Sequence, residues 1–172
     1  ELKQWQKAES TDKNGIVKTF INGGLRETTH PSYQAGSYMT FLKDYNEDIS
    51  SGEISPYACA VLHNYIEQKP EPLKDEIYTD VISNTPIYFK DDQEKLEKFI
   101  KKYVGEGKGS EILYKIESGK IKPTKKLIDY VSSLFLGNKE FVLLDEQKVA
   151  YELAYHSVIK EKNEKSVVII KG

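Results

Sequence analysis

The spacing of apolar and polar positions changes along the chain, and each change marks an expected element. Residues 16–21, Ile-Val-Lys-Thr-Phe-Ile, combine β-branched and aromatic side chains with partial alternation, so they predict a strand. Asn14-Gly15 before it is a turn signal, and Asn22-Gly23-Gly24 breaks it. Pro31 then opens a helix over 32–48, because proline's missing N–H would be unpaired in a first turn anyway. Tyr33, Ser37, Phe41 and Tyr45 recur every fourth residue as its stripe, with Tyr38 and Leu42 alongside. Residues 57–62 form a compact apolar run and predict a buried strand. Pro70 and Pro72 bracket one residue and exclude helix interior there. A short helix over 73–82 and a short strand over 86–89 follow. Asp91-Asp92 then caps a helix reaching Val104, with Leu96, Phe99, Ile100 and Tyr103 on its apolar face.

Gly105, Gly107 and Gly109 interrupt this pattern, and from Glu111 the chain becomes helix-rich and basic. Ile112, Leu113 and Ile116 predict a short helix stopped by Gly119. Pro123 starts another that ends at Gly137-Asn138. Asp145 is a good N-cap for a helix through Lys160, with Val149, Leu153 and Tyr155 among its apolar positions. The charged connection 160–165 leads to a β-branched run over 166–170, read as a buried strand. Strands alternating with helices give an α/β class with a helical middle.

Composition narrows the function classes. The 172 residues carry 25 Lys and Arg against 27 Asp and Glu, a net charge of -2, so binding nucleic acid by bulk positive charge is disfavoured. A local basic site stays open. One Cys, Cys59, rules out an internal disulfide framework and a cysteine zinc cluster. In the middle of an apolar run it reads as a packed thiol. No apolar run approaches the ~18 residues of a membrane span. The compartment expected is cytoplasmic. The chain begins at Glu1, has its only Met at position 39 and ends in Ile-Ile-Lys-Gly, so it reads as an internal piece of a longer protein.

Three clusters could carry chemistry. Glu1 and Lys3 share a face if they lie on a strand, where a carboxylate and an ammonium can hold a metal and steady a water or phosphate. A solvated salt pair is the plainer account of the same residues. Gln34 and Tyr38 share a helix face and can hydrogen-bond a phosphate, a base or a carboxylate, or be a core phenol beside an exposed amide. Leu143-Leu144-Asp145-Glu146-Gln147 opens a helix and leads towards the terminal strand and Gly172, or is an ordinary helix–strand pair. His63 follows an apolar strand, and strand ends in open α/β sheets are where ligands bind, or it is one of the polar side chains that cap the strand terminus. Arg26 can meet a phosphate or pair on the surface. Lysines over 115–126 are a further candidate backbone contact, or a solvated face. His30 is expected to be structural, positioning the helix after it.

Glu1-x-Lys3 on one strand, then another strand, then a helix with Gln34-x-x-x-Tyr38 resembles the RecB-like branch of the PD-(D/E)XK nucleases. In that family the Glu ligates magnesium or manganese, the Lys helps position or activate the attacking water, and the Gln and Tyr lie near the DNA. The family's first acid would precede Glu1, so the match lacks one metal ligand. The C-terminal part resembles the start of a superfamily 1 helicase motor. There Gln147 would read adenine and Gly172 would begin the phosphate loop. Together with Gly23-Gly24-Leu25-Arg26, His30-Pro31-Ser32-Tyr33-Gln34 and His63-Asn64-Tyr65, the chain is similar to the Schlafen group-3-like DNA/RNA helicases of bacteria and archaea. The resemblance implies a restriction-endonuclease-like mixed sheet with flanking helices over 1–105, a helical linker over 106–138, and the first helix and strand of a P-loop helicase domain over 139–172. It implies a nucleic-acid partner, magnesium or manganese at Glu1, ATP for the whole protein, and Glu1, Lys3, Gln34 and Tyr38 as the nuclease residues, with Arg26 and His63 on the nucleic acid. The alternative is a nuclease fold kept only to grip nucleic acid or a partner. The isolated chain is expected neither to cut nucleic acid nor to hydrolyse ATP.

Overall fold

The structure is a computed structural model that describes residues 1–105, 107, 109–121, 143–160 and 167–169. It is a mixed α/β arrangement with two small sheets. The helix expected to start at Pro123, part of the terminal apolar run and Gly172 lie outside the described residues.

The first sheet is antiparallel, β2 (Ala8–Ser10), β3 (Ile16–Ile21) and β4 (Gly24–Thr29), in that order. The strand expected over 16–21 is present with those bounds. Asn22 and Gly23 do more than end it. Both have positive φ, 51° and 80°, and they close a two-residue hairpin in which Ile21 pairs with Gly24 and Phe20 with Leu25. The second sheet is parallel, with β1 (Leu2–Lys3) beside β5 (Ala60–Leu62) and β5 beside β6 (Ile87–Phe89). Lys3 pairs with Leu62 and Leu62 with Phe89. Among the described residues the strands thus fall in two sheets, not in one mixed sheet.

One apolar core joins the sheets: Ala8 and Val17 from the first, Ala60, Leu62, Ile87 and Phe89 from the second, and Tyr65, Leu73 and Tyr78 from the intervening loops. The phenols are buried because their hydroxyls are satisfied. Tyr78 Oη donates to the Ile16 carbonyl (2.6 Å) and accepts from Thr11 N (2.9 Å). Tyr65 Oη donates to Glu71 (2.9 Å), whose carboxylate also accepts from the N–H groups of Gln68 and Leu73.

Several expected elements are shorter or divided. The strand expected over 57–62 begins only at Ala60, so Cys59 precedes it. The helix expected over 32–48 is α1 (Pro31–Tyr45) and α2 (Glu47–Ser50), split where Asn46 turns extended (φ -96°, ψ 127°) and its side chain accepts from Ile49 N at 3.1 Å. Residues 73–82 are two 3-10 turns, Pro72–Lys74 and Glu76–Tyr78, leading into α3 (Thr79–Asn84). Two side chains, Glu71 and Asp75, each cap a single tight turn and prevent one continuous helix. Helix α4 spans Gln93–Val104. Asp92 precedes it but does not cap it. Its carboxylate turns back to Phe89 N (3.0 Å) and across to Lys95 Nζ (2.5 Å).

Helix α5 (Gly109–Ser118) stops at Gly119, as expected. A side chain at Gly119 would strike Asn46 Nδ2 and the Lys115 carbonyl, both under 3 Å from the added carbon. Helix α6 (Asp145–Lys160) has the expected bounds and packs against β4. Val167–Ile169, expected within a buried strand, are exposed and belong to no strand. No helix among the described residues is long and apolar enough to cross a membrane.

Candidate nucleic-acid interface

His30 sets the geometry of the site. Its Nδ1 accepts from Ser32 N (3.1 Å), which caps α1, and its Nε2 donates to the Leu73 carbonyl (2.9 Å). This fully buried ring fixes the start of α1 against the core, the positioning role expected of it. Burial lowers its pKa from 6.5 to about 4, against the smaller opposing effect of the Leu73 carbonyl. The ring is therefore neutral at pH 7.

The buried face of α1 follows the expected stripe only in part. Ser32, Gln34, Ala35 and Ser37 are buried, whereas Phe41 is 46% exposed. The helix approaches α3 so closely that a side chain at Gly36 would meet Thr85 Oγ1 at 2.9 Å. Small residues are needed on that face, and Tyr38 and Phe41 turn outward while Tyr33 is half-buried. Tyr38 is consequently exposed, one turn beyond Gln34, and Gln34 Nε2 donates to Tyr38 Oη (3.1 Å).

Glu1 is held beside β5 by ladder bonds on both sides: its nitrogen donates to the Cys59 carbonyl (2.9 Å), and Val61 N donates to the Glu1 carbonyl (2.8 Å). Lys3 Nζ lies 3.1 Å from Glu1 Oε1, so the predicted pair is formed. Lys3, Arg26, Thr29 and Gln34 line one cavity of about 480 Å³, together with Asp145 and Glu146 from the start of α6. The negative charge of Glu1 reaches Tyr38 and helps to raise its pKa, but the first cause of that rise is the hydrogen bond to Asp145. Three of the predicted residues, Lys3, Arg26 and Gln34, thus line one opening, with Glu1 paired to Lys3 and Tyr38 bonded to Gln34 and Asp145.

The others do not. His63 is exposed just past the pair Lys3–Leu62, at the carboxyl end of β5, and is not among the cavity's lining residues. Gln147 is exposed, and its Oε1 accepts from Leu144 N (3.3 Å), closing the first turn of α6. Cys59 is half-buried, and burial pushes its thiol pKa up, the opposite of an activated nucleophile.

Asp145 is the contact that sequence reasoning missed. Expected as a cap for its own helix, it instead reaches back over more than a hundred residues. Its Oδ2 accepts from Tyr38 Oη (2.8 Å) and its Oδ1 from Thr29 Oγ1 (3.3 Å). Beside it, Tyr33 Oη donates to the Leu143 carbonyl (2.9 Å), and burial holds that phenol's pKa up at about 12. Lys148 and Glu152 form a buried ion pair (2.5 Å), with Lys148 Nζ 5.2 Å from the Tyr33 ring centre. The buried side of α6 is therefore charged, while its expected apolar positions Leu153 and Tyr155 are 44% and 49% exposed. Nothing in the 145–160 periodicity signals this, because Lys148 and Glu152 read as an exposed i,i+4 pair.

A second cavity, about 490 Å³, shares no lining residue with the first. Trp5, Phe20 and Leu25 line it with Lys7 and Glu9. Phe20 is 68% exposed, and Lys3 Nζ sits 5.7 Å from the Trp5 ring centre.

The fit to a divalent metal is incomplete. Glu1 faces Lys3, and Asp145 is engaged by two hydroxyls. No cluster of three His, Cys, Asp or Glu side chains occurs among the described residues. Magnesium takes one or two carboxylates plus phosphates and waters, and here at most Glu1 is placed to serve.

Compared with models of known protein families, with curated proteins and with solved structures, the chain matches none.

Proposed function

We propose that the Lys3–Arg26–Gln34–Tyr38 face grips the phosphodiester backbone of a nucleic-acid strand. The observation that carries this reading is the position of Lys3. It lines the polar cavity with Arg26 and also lies over Trp5 of the apolar one. Cations beside an aromatic platform suit a single strand, with phosphates on Lys3 and Arg26 and bases stacked on Trp5 and Phe20. This needs only a local basic site, so a net charge of -2 is no obstacle.

Trp5 is the only tryptophan in the chain, which gives a direct test. Titration with a single-stranded oligonucleotide should quench its fluorescence. Lys3→Ala and Arg26→Ala should each weaken binding by about tenfold and flatten its salt dependence. Unchanged fluorescence and no salt-dependent binding would overturn the reading.

Cleavage is the second reading, favoured by the Glu1–Lys3 pair beside Gln34 and Tyr38. It would need a magnesium or manganese ion shared between Glu1 and a carboxylate from outside this chain. By its resemblance the longer protein would be an ATP-driven helicase with this module in front of its motor. Magnesium-dependent cutting by that longer protein, lost in Glu1→Gln, would favour the enzyme over the grip.

A further inference from the structure

We infer that the Asp145 carboxylate is an internal stand-in for a ligand oxyanion, and that a phosphoryl group binds at Tyr38 and Thr29 by displacing it. The inference deepens the phosphate-gripping reading above and rests on it for the identity of the ligand.

Two hydroxyl donors from different elements, Thr29 at the end of β4 and Tyr38 on α1, converge on the two oxygens of one anion. That is how a protein presents hydrogen bonds to a phosphate. The anion arrives from 107 residues beyond Tyr38, at the first residue of α6. Asp145 has a φ of 26°, a left-handed conformation that Gly, Asn and Asp adopt more readily than other residues, and its helix packs against β4. Lys3 and Arg26 line the same cavity. Of the acids there, Glu27 is neutralised by Lys13 (2.6 Å), which leaves Asp145 and Glu146 to oppose an entering polyanion.

Release of Asp145 need not strand the Tyr38 proton. Gln34 Nε2 donates to Tyr38 Oη, while Gln34 Oε1 is buried with no hydrogen-bond partner. A half-turn of that amide would offer Tyr38 an acceptor in place of Asp145, with the amide nitrogen taking the buried position that the oxygen now holds. Alternatively the phenol donates directly to the incoming phosphoryl oxygen.

The test measures two probes on the 172-residue chain: a fluorescently labelled oligothymidylate by anisotropy, and inorganic phosphate by its shift of the Tyr38 and Thr29 NMR signals. Asp145→Asn keeps the size and tolerates the left-handed backbone. It should tighten one of the probes by about five- to tenfold, since a neutral amide competes less well than a carboxylate for the Tyr38 hydroxyl. In a Tyr38→Phe background the same change should have an effect below about twofold, because the shared donor is gone. Tighter oligothymidylate binding identifies a phosphodiester as the ligand. Tighter phosphate binding alone identifies a free phosphate or monoester. If circular dichroism shows the variant folded and neither probe tightens, the inference falls. Wild-type oligonucleotide binding that depends on Lys3 and Arg26, with no gain in Asp145→Asn, would overturn the stand-in and leave the grip intact. A gain for phosphate with no oligonucleotide binding by any variant would do the reverse.

Discussion

The molecule is held together in two different ways on the two sides of α1. On the core side, Leu62, Tyr65, Leu73 and Tyr78 are fully buried and pack against both sheets. On the α6 side, contact includes a carboxylate between two hydroxyls, a phenol on a backbone carbonyl, and the Lys148 ammonium over the Tyr33 ring. Apolar burial is non-directional, yields about 25 cal/mol per Å², and has no alternative partner in water. Polar contacts exchange for water or for a ligand at little net difference. The same helix is therefore fixed firmly on one face and engaged exchangeably on the other, and the candidate ligand site is on the exchangeable one.

Three perturbations separate the two sides, in order of expected effect on global stability. Leu73→Ala removes a fully buried side chain from the shared core and should cost about 2–5 kcal/mol in urea unfolding. A loss below 1 kcal/mol would mean the core is not what holds the sheets together. Acid is the second lever. Between pH 6.5 and about 4 the unfolded chain carries a proton on His30 that the folded chain refuses, so the unfolded state binds more protons and stability falls as pH drops through that window. The contribution is complete above pH 6.5 and amounts to about 3 kcal/mol over the window. His30→Gln should show a correspondingly smaller drop in its urea midpoint over the same range. An equal drop in both proteins would assign the acid sensitivity to other groups. The third is Glu152→Ala, which leaves Lys148 buried without its partner. If α6 is separable, amide exchange within 145–160 should speed up markedly while global unfolding changes by less than about 1 kcal/mol. A global loss on the scale of Leu73→Ala would erase the distinction between the two sides.

What could be read in advance follows the same division. The bounds of β3 and α6 and the stop at Gly119 were legible because each depends on local signals: β-branched alternation, a flanking turn and a glycine where a side chain cannot fit. Strand β4 was missed, although its signal was present. Asn22-Gly23 is the hairpin dipeptide, and reading it as a break hid the pairing of Gly24–Thr29 with β3. The pairing of Glu1 with Lys3, and of Gln34 with Tyr38, followed from the two- and four-residue periods of strand and helix. The buried face of α1 did so only in part, since Gly36 and its small neighbours are selected by the approach of Thr85, which is far along the chain. Asp145 was illegible for the same reason. Its partners lie 107 and 116 residues away, and a carboxylate at a helix start has an adequate local explanation that conceals the distant one.

The separation between Asp145 and its partners also orders events during synthesis. A ribosome completes β4, α1 and the core residues through Phe89 well before residue 145 is added, and early segments fold while later ones are still being made. Each new molecule therefore passes through an interval in which Tyr38 and Thr29 have been made and their carboxylate partner does not yet exist.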